Sequence, residues 1–207
     1  RRYAKSIGKK YEELNLIVVH LGGGISVGAH RKGLVIDVNN ALNGEGPISP
    51  ERAGTVPSEA LATLCFSGKY TLNEVKKMLH GKAGLAAYLG TSDMITIEEK
   101  AIEGKEPYKT LVAAMDYTVA KEIGAMFVAL KGQCDAIILT GGIAYSDYCV
   151  SDIKEQIEYL CKVVVLPGEN EMESLAENAF GALTGELPVL TYTGVSCAEE
   201  IPGMAEA

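Results

Sequence analysis

Three short apolar runs near the start of the chain constrain the fold more than any other feature of the sequence. The first, Asn15–Leu21, is rich in β-branched residues and ends at three consecutive glycines, residues 22–24. The second and third, residues 25–29 and Leu34–Val38, are separated by a charged turn at residues 31–33. Runs of this length and composition, divided by turn residues, are typical of strands. We therefore expect three antiparallel strands in a meander.

The last third of the chain alternates between strand and helix patterns. Apolar runs at residues 135–139 and 162–166 predict strands, and residues 151–160 and 173–183 have helical spacing. Strands that are joined through a helix are generally parallel neighbours. The sequence therefore predicts an α/β fold in which one mixed sheet is flanked by helices.

A long helix is expected over residues 108–130, because its apolar side chains recur with the 3.6-residue period of a largely buried element. These side chains belong to Leu111, Ala114, Met115, Thr118, Val119, Ile123, Met126, Phe127 and Leu130. Residues 2–14 also have helical spacing but carry many charges, which is typical of a short connecting helix.

Two shorter helices are predicted between these elements. Residues 58–66 have Ser58 as a plausible N-cap. Residues 71–80 have Thr71 as the cap, with Glu74 placed to complete a capping box.

Composition argues against several classes of function. The formal net charge is −8, and an acidic surface repels the phosphate backbone of nucleic acids, so nucleic acid is not an expected partner. The chain has no run of ~20 apolar residues that could span a membrane. Five cysteines without a Cys-x-x-Cys pair are typical of reduced core thiols. We therefore expect a water-soluble protein of the reducing cytoplasm.

Two glycine-rich segments could bind a ligand. Residues 20–24 follow the first strand, and their N–H groups could surround a phosphate, although a tight hairpin turn is the simpler explanation. Residues 139–144 follow a buried strand, where paired glycines would let a flat purine lie on the backbone. An ordinary strand-to-loop turn is the alternative there. Neither segment has the Gly-x-Gly-x-x-Gly or Gly-x-x-x-x-Gly-Lys-Ser/Thr spacing of the common nucleotide motifs.

Charged residues provide two further candidates. Residues 39–57 hold three prolines and three glycines and are expected to form an irregular loop, which at this length usually has a functional task. Arg52 lies in this loop, and a guanidinium offers planar paired donors that suit a phosphoryl group. Residues 168–171 include Glu169 and Glu171, which could hold Mg²⁺ through water, although a plain helix start explains them equally well.

These segments occur in an order that resembles the butyrate kinases of the acetokinase family. The matching segments are HLGGGISVG at residues 20–28, DVNNALNGEGP at 37–47, PERAG at 50–54, TSDM at 91–94, LTGGI at 139–143 and PGENE at 167–171. The resemblance covers the chain from residue 1 to about residue 192. The family belongs to the superfamily that contains sugar kinases, heat-shock ATPases and actin, so the resemblance implies a ribonuclease-H-like, actin-like ATPase fold.

The resemblance implies reversible transfer of a phosphoryl group from ATP to a short-chain carboxylate such as butanoate. The products are ADP and an acyl phosphate, and the reaction uses Mg²⁺. A kinase for acetate, propionate or a branched-chain acid is the alternative. Such a reaction requires alignment of donor and acceptor and neutralisation of charge, without a covalent protein intermediate.

The resemblance also implies a role for each candidate residue. Arg52 falls on the arginine that faces the transferred phosphoryl group, and Glu171, with Glu169 as the alternative, falls on the glutamate associated with the metal. The phosphate-binding segment comprises His20, Leu21, Gly22, Gly23 and Gly24. The adenosine-binding segment comprises Gly141, Gly142, Ile143, Ala144, Tyr145 and Ser146. Relatives also contact the nucleotide at the positions of Asp93, Met94 and Ile95, the last of which is usually arginine in acetate kinases.

Enzymes of this family have two related domains, and this chain resembles the second. Residues 1–192 are therefore expected to form the C-terminal nucleotide-binding domain of a two-domain kinase, with residues 193–207 as a tail. Related kinases pair through this domain, so a homo-oligomer is expected. The isolated chain is expected to be inactive, and a nucleotide-binding or assembly module without catalysis is the alternative function.

Overall fold

The computed structural model describes residues 1–168, 171–189 and 191, and the chain divides into two compact units, Arg1–Glu169 and Asn170–Ala207. The first unit contains a five-stranded sheet with the strand order β3-β2-β1-β4-β5. The strands are β1 (Asn15–Leu21), β2 (Ile25–Arg31), β3 (Leu34–Val38), β4 (Ala136–Gly141) and β5 (Val163–Pro167). β1, β2 and β3 pair antiparallel, whereas β4 is parallel to both β1 and β5. The predicted meander and mixed sheet are confirmed.

Helices precede the sheet and connect its strands. In the first unit they are α1 (Arg2–Ser6), α2 (Ser58–Cys65), α3 (Leu72–Leu79), α4 (Leu85–Leu89), α5 (Met94–Ile102), α6 (Tyr108–Ala129) and α7 (Asp147–Ile157). Short 3-10 turns occur at Tyr11–Glu13, Ala41–Asn43 and Ile143–Tyr145. The second unit contains α8 (Glu171–Thr184), close to the predicted residues 173–183. No helix in the described part of the chain combines the length and apolarity that a membrane crossing requires.

The two faces of the sheet bury different residues, because side chains alternate along each strand. One face packs against α5, α6 and α7 in the main core, to which β1 contributes Ile17, Val19 and Leu21. The opposite face carries a smaller core, in which Leu16 of β1 belongs to the same cluster as Tyr3 of α1. Both faces of β1 are therefore fixed, and its carboxyl end lies beside that of β4.

The long helix α6 confirms the predicted buried element, with one difference in the position of its face. Met115, Val119 and Ile123 are buried as expected, but the buried face also includes Val112 and Asp116. Ala114, which was expected on that face, is exposed. The apolar stripe begins at Val112 and continues at positions three and four residues apart, which leaves Ala114 on the far side of the helix.

Several helix boundaries differ from the expectation for local reasons. Residues 2–14 do not form one helix, because α1 ends at Ser6 and Gly8 has a φ of +69°. Ser58 is the first residue of α2 rather than its N-cap, because Pro57 already has the extended backbone of the capping position. The predicted capping box of Thr71 and Glu74 at the start of α3 is confirmed.

α5 was not predicted, and α7 begins earlier than expected. Asp93 caps α5 by accepting a hydrogen bond from the Ile95 N–H at 3.3 Å. α7 begins at Asp147 rather than at residue 151, because the Ser146 hydroxyl oxygen accepts a hydrogen bond from the Cys149 N–H at 3.0 Å. Both starts follow a side-chain cap rather than an apolar period.

The cysteines follow the expectation of buried thiols only in part. Cys149 is buried, Cys134 and Cys161 are half-buried, and all of the described cysteines are free. Cys65 is exposed, which corrects the expectation of a core thiol, because it lies on α2, a helix with no buried residue. Cys197 and the predicted tail, residues 193–207, lie outside the described residues.

Candidate functional site

The two glycine-rich segments meet at one edge of the sheet. β1 and β4 are parallel, with His20 opposite Thr140, so both strands end at the same level. Gly141 has a φ of +94°, and a Cβ at this position would overlap the carbonyl oxygen of Leu21. A residue with a side chain would be excluded by both the φ and the close approach. The predicted phosphate-binding and adenosine-binding segments are therefore neighbours in space.

A cavity of about 520 Å³ opens at this edge, which is the size of a typical small-ligand pocket. Its lining comes from the turn after β1, the start of α5 and the segment after β4. The predicted site residues in the lining are Gly22, Gly23, Asp93, Met94, Gly142, Ile143, Tyr145 and Ser146. Other predicted residues are absent from the lining of this cavity, namely His20, Leu21, Gly24, Gly141 and Ala144. Of these five residues, His20 and Leu21 belong to β1 and Gly141 belongs to β4, so they lie in the strands whose ends form the base of the cavity.

Gly142 presents an open stretch of backbone to the cavity. Its φ and ψ are −66° and −39°, and among the described residues no atom beyond its chain neighbours lies within 4 Å of the position that a Cβ would take. The chain then makes the 3-10 turn Ile143–Tyr145 and enters α7 through the cap at Ser146. Ile143, Tyr145 and Ser146 line the cavity beside Gly142, whose exposed backbone could contact a flat group.

The start of α5 places a fixed negative charge on the cavity wall. Asp93 accepts hydrogen bonds from the Thr96 hydroxyl and from the Ile95 N–H. The bond from Thr96 is the main reason that the pKa of Asp93 lies below its usual value. The carboxylate is therefore ionised at neutral pH and can accept a hydrogen bond from a ligand hydroxyl.

The cavity also contains residues that the sequence did not indicate as site residues. These are Pro50, Ser92 and Glu98, and the lining also includes Ile95, which the resemblance did indicate and which is 72% exposed. Glu98 follows Ile95 by three residues, so the two lie on the same face of α5. Had Asp93 been recognised in the sequence as a helix cap, α5 would have been predicted, and Glu98 would have been expected on the same face as Ile95.

Arg52 lies beside the glycine turn rather than in the lining of the cavity. A Cβ on Gly24 would be 3.7 Å from Cγ of Arg52. The guanidinium donates a hydrogen bond from Nη1 to the backbone oxygen of Glu51 at 3.2 Å and forms an ion pair with the Glu51 carboxylate at 3.6 Å. Its Nε is buried and has no hydrogen-bond partner in the described part of the chain. The side chain is 21% exposed, so part of the guanidinium is available to a ligand.

Hydrogen bonds hold the Arg52 loop against the glycine turn. The Ser49 hydroxyl donates to the Gly23 carbonyl oxygen at 2.7 Å and accepts from the Arg52 N–H at 3.0 Å. Gly84 packs beneath the loop with a φ of +61°, where a Cβ would overlap the carbonyl oxygen of Ser49. The position of Arg52 in the loop therefore depends on Ser49 and Gly84, neither of which is a predicted site residue.

A metal site is not assembled by the described residues. Among them, no group of three or more His, Cys, Asp or Glu side chains could hold a metal ion. The side chain of Glu171 and all of Glu169 lie outside the described residues. Both remain predictions.

A buried carboxyl group lies between α6 and α7. Asp116 of α6 is fully buried, and in the described chain neither of its oxygens has a hydrogen-bond partner of ordinary geometry. Burial is the main cause that raises its pKa to about 8, and the charge of Asp152 on α7 adds to the effect. Asp116 also raises the pKa of the buried Cys149 thiol, for which burial is again the larger cause. The sequence did not indicate this carboxyl group.

The fold resembles that of solved acetate kinases. A crystal structure of acetate kinase from Porphyromonas gingivalis matches with a TM-score of 0.76 at 22% sequence identity, over 86% of this chain and 52% of that one. This likeness confirms the predicted ribonuclease-H-like, actin-like fold.

Sequence relatives cover nearly the whole chain. It is 72% identical over 192 residues to a probable butyrate kinase of Phocaeicola vulgatus and 52% identical over 192 residues to butyrate kinase 1 of Clostridium acetobutylicum. Each alignment covers 93% of this chain and 54% of the relative, so the chain spans about half the length of the curated relatives it matches. The acetokinase family model matches residues 1–181. On this match and these identities, the chain belongs to the acetokinase family.

Proposed function

We propose that this chain is the nucleotide-binding half of a two-domain kinase that transfers a phosphoryl group reversibly from ATP to butanoate. The products would be butanoyl phosphate and ADP. The observation that carries the proposal is the cavity at the ends of β1 and β4, where three separate segments of an acetokinase-family chain meet. Residues 1–192 would form this half, and the other domain would supply much of the acid pocket.

The chemistry of the cavity suits a nucleotide. The open backbone of Gly142 would take one face of the purine, and Ile143, Met94 and Ile95 provide apolar surface beside it. The turn at residues 22–24 would direct N–H groups toward the phosphates, as glycine turns can because they lack a Cβ. His20 and Leu21, at the end of β1, would hold this turn in place.

Arg52 would face the transferred phosphoryl group and stabilise the charge that its oxygens carry. Its position beside Gly24 supports this role. Guanidinium groups in comparable positions of other phosphoryl-transfer enzymes contribute ~10³-fold or more to the rate. We therefore expect Arg52→Lys, in a protein that carries both halves, to lower kcat by about 10³-fold, because lysine lacks paired planar donors.

Mg²⁺ is part of the proposed reaction. The ion usually binds through one or two carboxylates together with substrate phosphates, so it does not require a cluster of three or more protein ligands. Glu171, or Glu169 in its place, would be the protein's carboxylate. When bound, the ion would neutralise phosphate charge.

The choice of acid is tested by comparing substrates of increasing length. The names of the relatives, probable butyrate kinase and butyrate kinase 1, support butanoate as the substrate; acetate, propionate and a branched-chain acid are the alternatives. Each methylene in an apolar pocket changes the transition-state free energy by ~1–3 kcal/mol, so kcat/KM should peak sharply at one chain length. A protein with both halves that consumes no ATP with any of these acids would refute the proposed function.

A binding or assembly module without catalysis is the second candidate. Apolar side chains are exposed at the end of α2, where its C-cap Phe66 is 91% exposed, and on α3, where Leu72 is 70% exposed; α2 has no buried residue. Such a surface suits a contact with a second copy of the chain. A strict monomer in light scattering at high concentration would count against assembly.

We place the protein in the cytoplasm on the basis of its free thiols.

A further inference from the structure

Glu51 joins the three segments on which the proposed phosphoryl transfer depends. Its carboxylate lies beside the glycine turn, since Oε2 is 3.2 Å from the position of a Cβ on Gly23. The same oxygen is 3.6 Å from Nη1 of Arg52. The other oxygen, Oε1, accepts a hydrogen bond from the Ser92 hydroxyl at 3.2 Å. One side chain therefore touches the turn, the arginine loop and the segment before α5.

The backbone of Glu51 is fixed as firmly as its side chain. Its N–H donates to the Gly23 carbonyl oxygen at 3.0 Å, and its carbonyl oxygen accepts from the Gly81 N–H at 2.9 Å. The same carbonyl oxygen accepts the 3.2 Å bond from Nη1 of Arg52. Bonds on both sides of the peptide give the carboxylate a defined starting point.

The Arg52 side chain has no hydrogen bond or ion pair to any residue other than Glu51 in the described part of the chain. Its Nε has no hydrogen-bond partner in the described part of the chain. A free arginine side chain has ~2 kcal/mol of rotamer entropy, which an ordered neighbour reduces before the substrate arrives. The contacts with Glu51 use only Nη1, and Nε is buried, so Nη2 is the group left to donate to a phosphoryl oxygen.

We propose that Glu51 is a positioning residue, whose carboxylate, held by Ser92, orients the Arg52 guanidinium toward the phosphoryl group. This inference rests on the proposed function, in which Arg52 faces that group. Glu51 itself does not touch the reacting atoms. A negative charge beside the phosphates opposes their binding. If Glu51 did not position Arg52, removing this charge by Glu51→Gln would therefore raise the affinity for nucleotide without lowering the rate.

The test uses Glu51→Gln in a protein that carries both halves. Glutamine keeps the size of the side chain and an oxygen for Ser92 but removes the charge that attracts Arg52. We expect kcat to fall on the order of tenfold, with KM for MgATP within about twofold of the wild type, because a misplaced group affects the transition state more than binding. Glu155→Gln, an exposed carboxylate on α7, is the matched control and should leave both constants unchanged.

A double variant separates positioning from a general structural role. Ser92→Ala removes the hydroxyl that holds Oε1, so it should lower kcat by less than Glu51→Gln does. If Ser92 acts through Glu51, Ser92→Ala combined with Glu51→Gln should have the kcat of Glu51→Gln alone. Additive losses in kcat would overturn the proposed link between the two residues.

A second measurement needs no activity. In the 207-residue chain, ¹⁵N relaxation of the Arg52 Nε–H group should report an ordered guanidinium that becomes mobile in Glu51→Gln, while amide signals of β1 and β4 stay unchanged. An active wild type whose Glu51→Gln variant keeps kcat, or an Arg52 signal with unchanged order, would overturn the positioning role alone. Absence of acid-dependent ATP consumption by the wild type would instead refute the proposed function.

Discussion

The substitution Gly142→Val tests the placement of the nucleotide without disturbing the fold. The backbone at Gly142, with φ −66° and ψ −39°, is one that any L-residue adopts. In the part of the chain that the structure describes, no atom beyond the chain neighbours of Gly142 lies within 4 Å of the position of an added Cβ. A substitution at such an open site is expected to change the free energy of unfolding by less than ~0.5 kcal/mol.

The valine side chain would enter the space that we propose for the purine. Lifting the ring from the backbone would leave about 100 Å² of its surface uncovered, which costs about 2.5 kcal/mol at ~25 cal/mol per Å². Since ~1.4 kcal/mol corresponds to a factor of ten, the affinity for MgADP should fall roughly 60-fold. The expected loss of affinity is therefore much larger than the expected loss of stability.

Calorimetric titration with MgADP measures this change directly. Gly124→Val is the matched control, because Gly124 on α6 also has no atom within 4 Å of an added Cβ and does not line the cavity. We expect binding by the wild type and by Gly124→Val, and greatly weakened binding by Gly142→Val. Equal affinity of all three would refute the placement. If the folded wild type does not bind, the same titration of a protein with both halves decides between a missing domain and a wrong assignment.

Two further predictions concern stability. Gly84→Ala should lower the free energy of unfolding, measured by urea titration, by about 3 kcal/mol or more, because its Cβ would overlap the Ser49 carbonyl oxygen at a φ of +61°. Gly81→Ala is the control: at a φ of +89°, with no described atom near its Cβ, it should lower the free energy of unfolding by only ~1 kcal/mol in the same titration. Burial raises the pKa of Asp116 to about 8 in the folded state, whereas the unfolded chain releases the proton near the ordinary aspartate pKa of about 3.9. Wild-type stability should therefore fall as pH rises between these values, by up to ~1.4 kcal/mol per unit. Asp116→Asn should remove this part of the slope, and identical slopes for the two proteins from pH 5 to 8 would contradict the buried carboxylic acid.

Local patterns in the sequence were sufficient for most elements of the fold. The β-branched runs at β1 and β3 and the 3.6-residue period of α6 correspond to the observed elements. The capping box at Thr71 succeeded because both of its hydrogen bonds lie within four residues of one another. The strand and helix alternation after residue 130 also predicted the parallel pairing of β4 and β5.

The errors occurred where a cap or a neighbouring element determined the outcome. α5 is short and begins at the Asp93 cap, so its apolar period gave little signal. Ser58 looks like a cap in the sequence, but the extended backbone of Pro57 makes Pro57 the cap, so the helix begins one residue earlier, at Ser58. Cys65 has an apolar sequence context and yet is exposed, because no described element packs over α2 closely enough to bury any of its residues.

The residues of the candidate site also fall into those that the sequence identified and those that only the tertiary structure brought together. Glycines, Arg52 and Asp93 were identifiable because their residue types occur in ordered family segments. Tertiary structure alone brought Gly22, Asp93 and Gly142 to one cavity, and it alone placed the Glu51 carboxylate between Ser92 and Arg52.

The amino-acid sequence by itself determined the strands, most of the helices, the mixed sheet and the family of this protein. Periodicity and turn residues are properties of neighbouring positions, and the order of the motifs can be read along the chain. Only the tertiary structure decided which distant residues touch. The register of β1 against β4 and the glycine-limited approach of Gly141 to Leu21 set the distances across the site. Such distances depend on how separate elements pack together, and no local pattern contains that information.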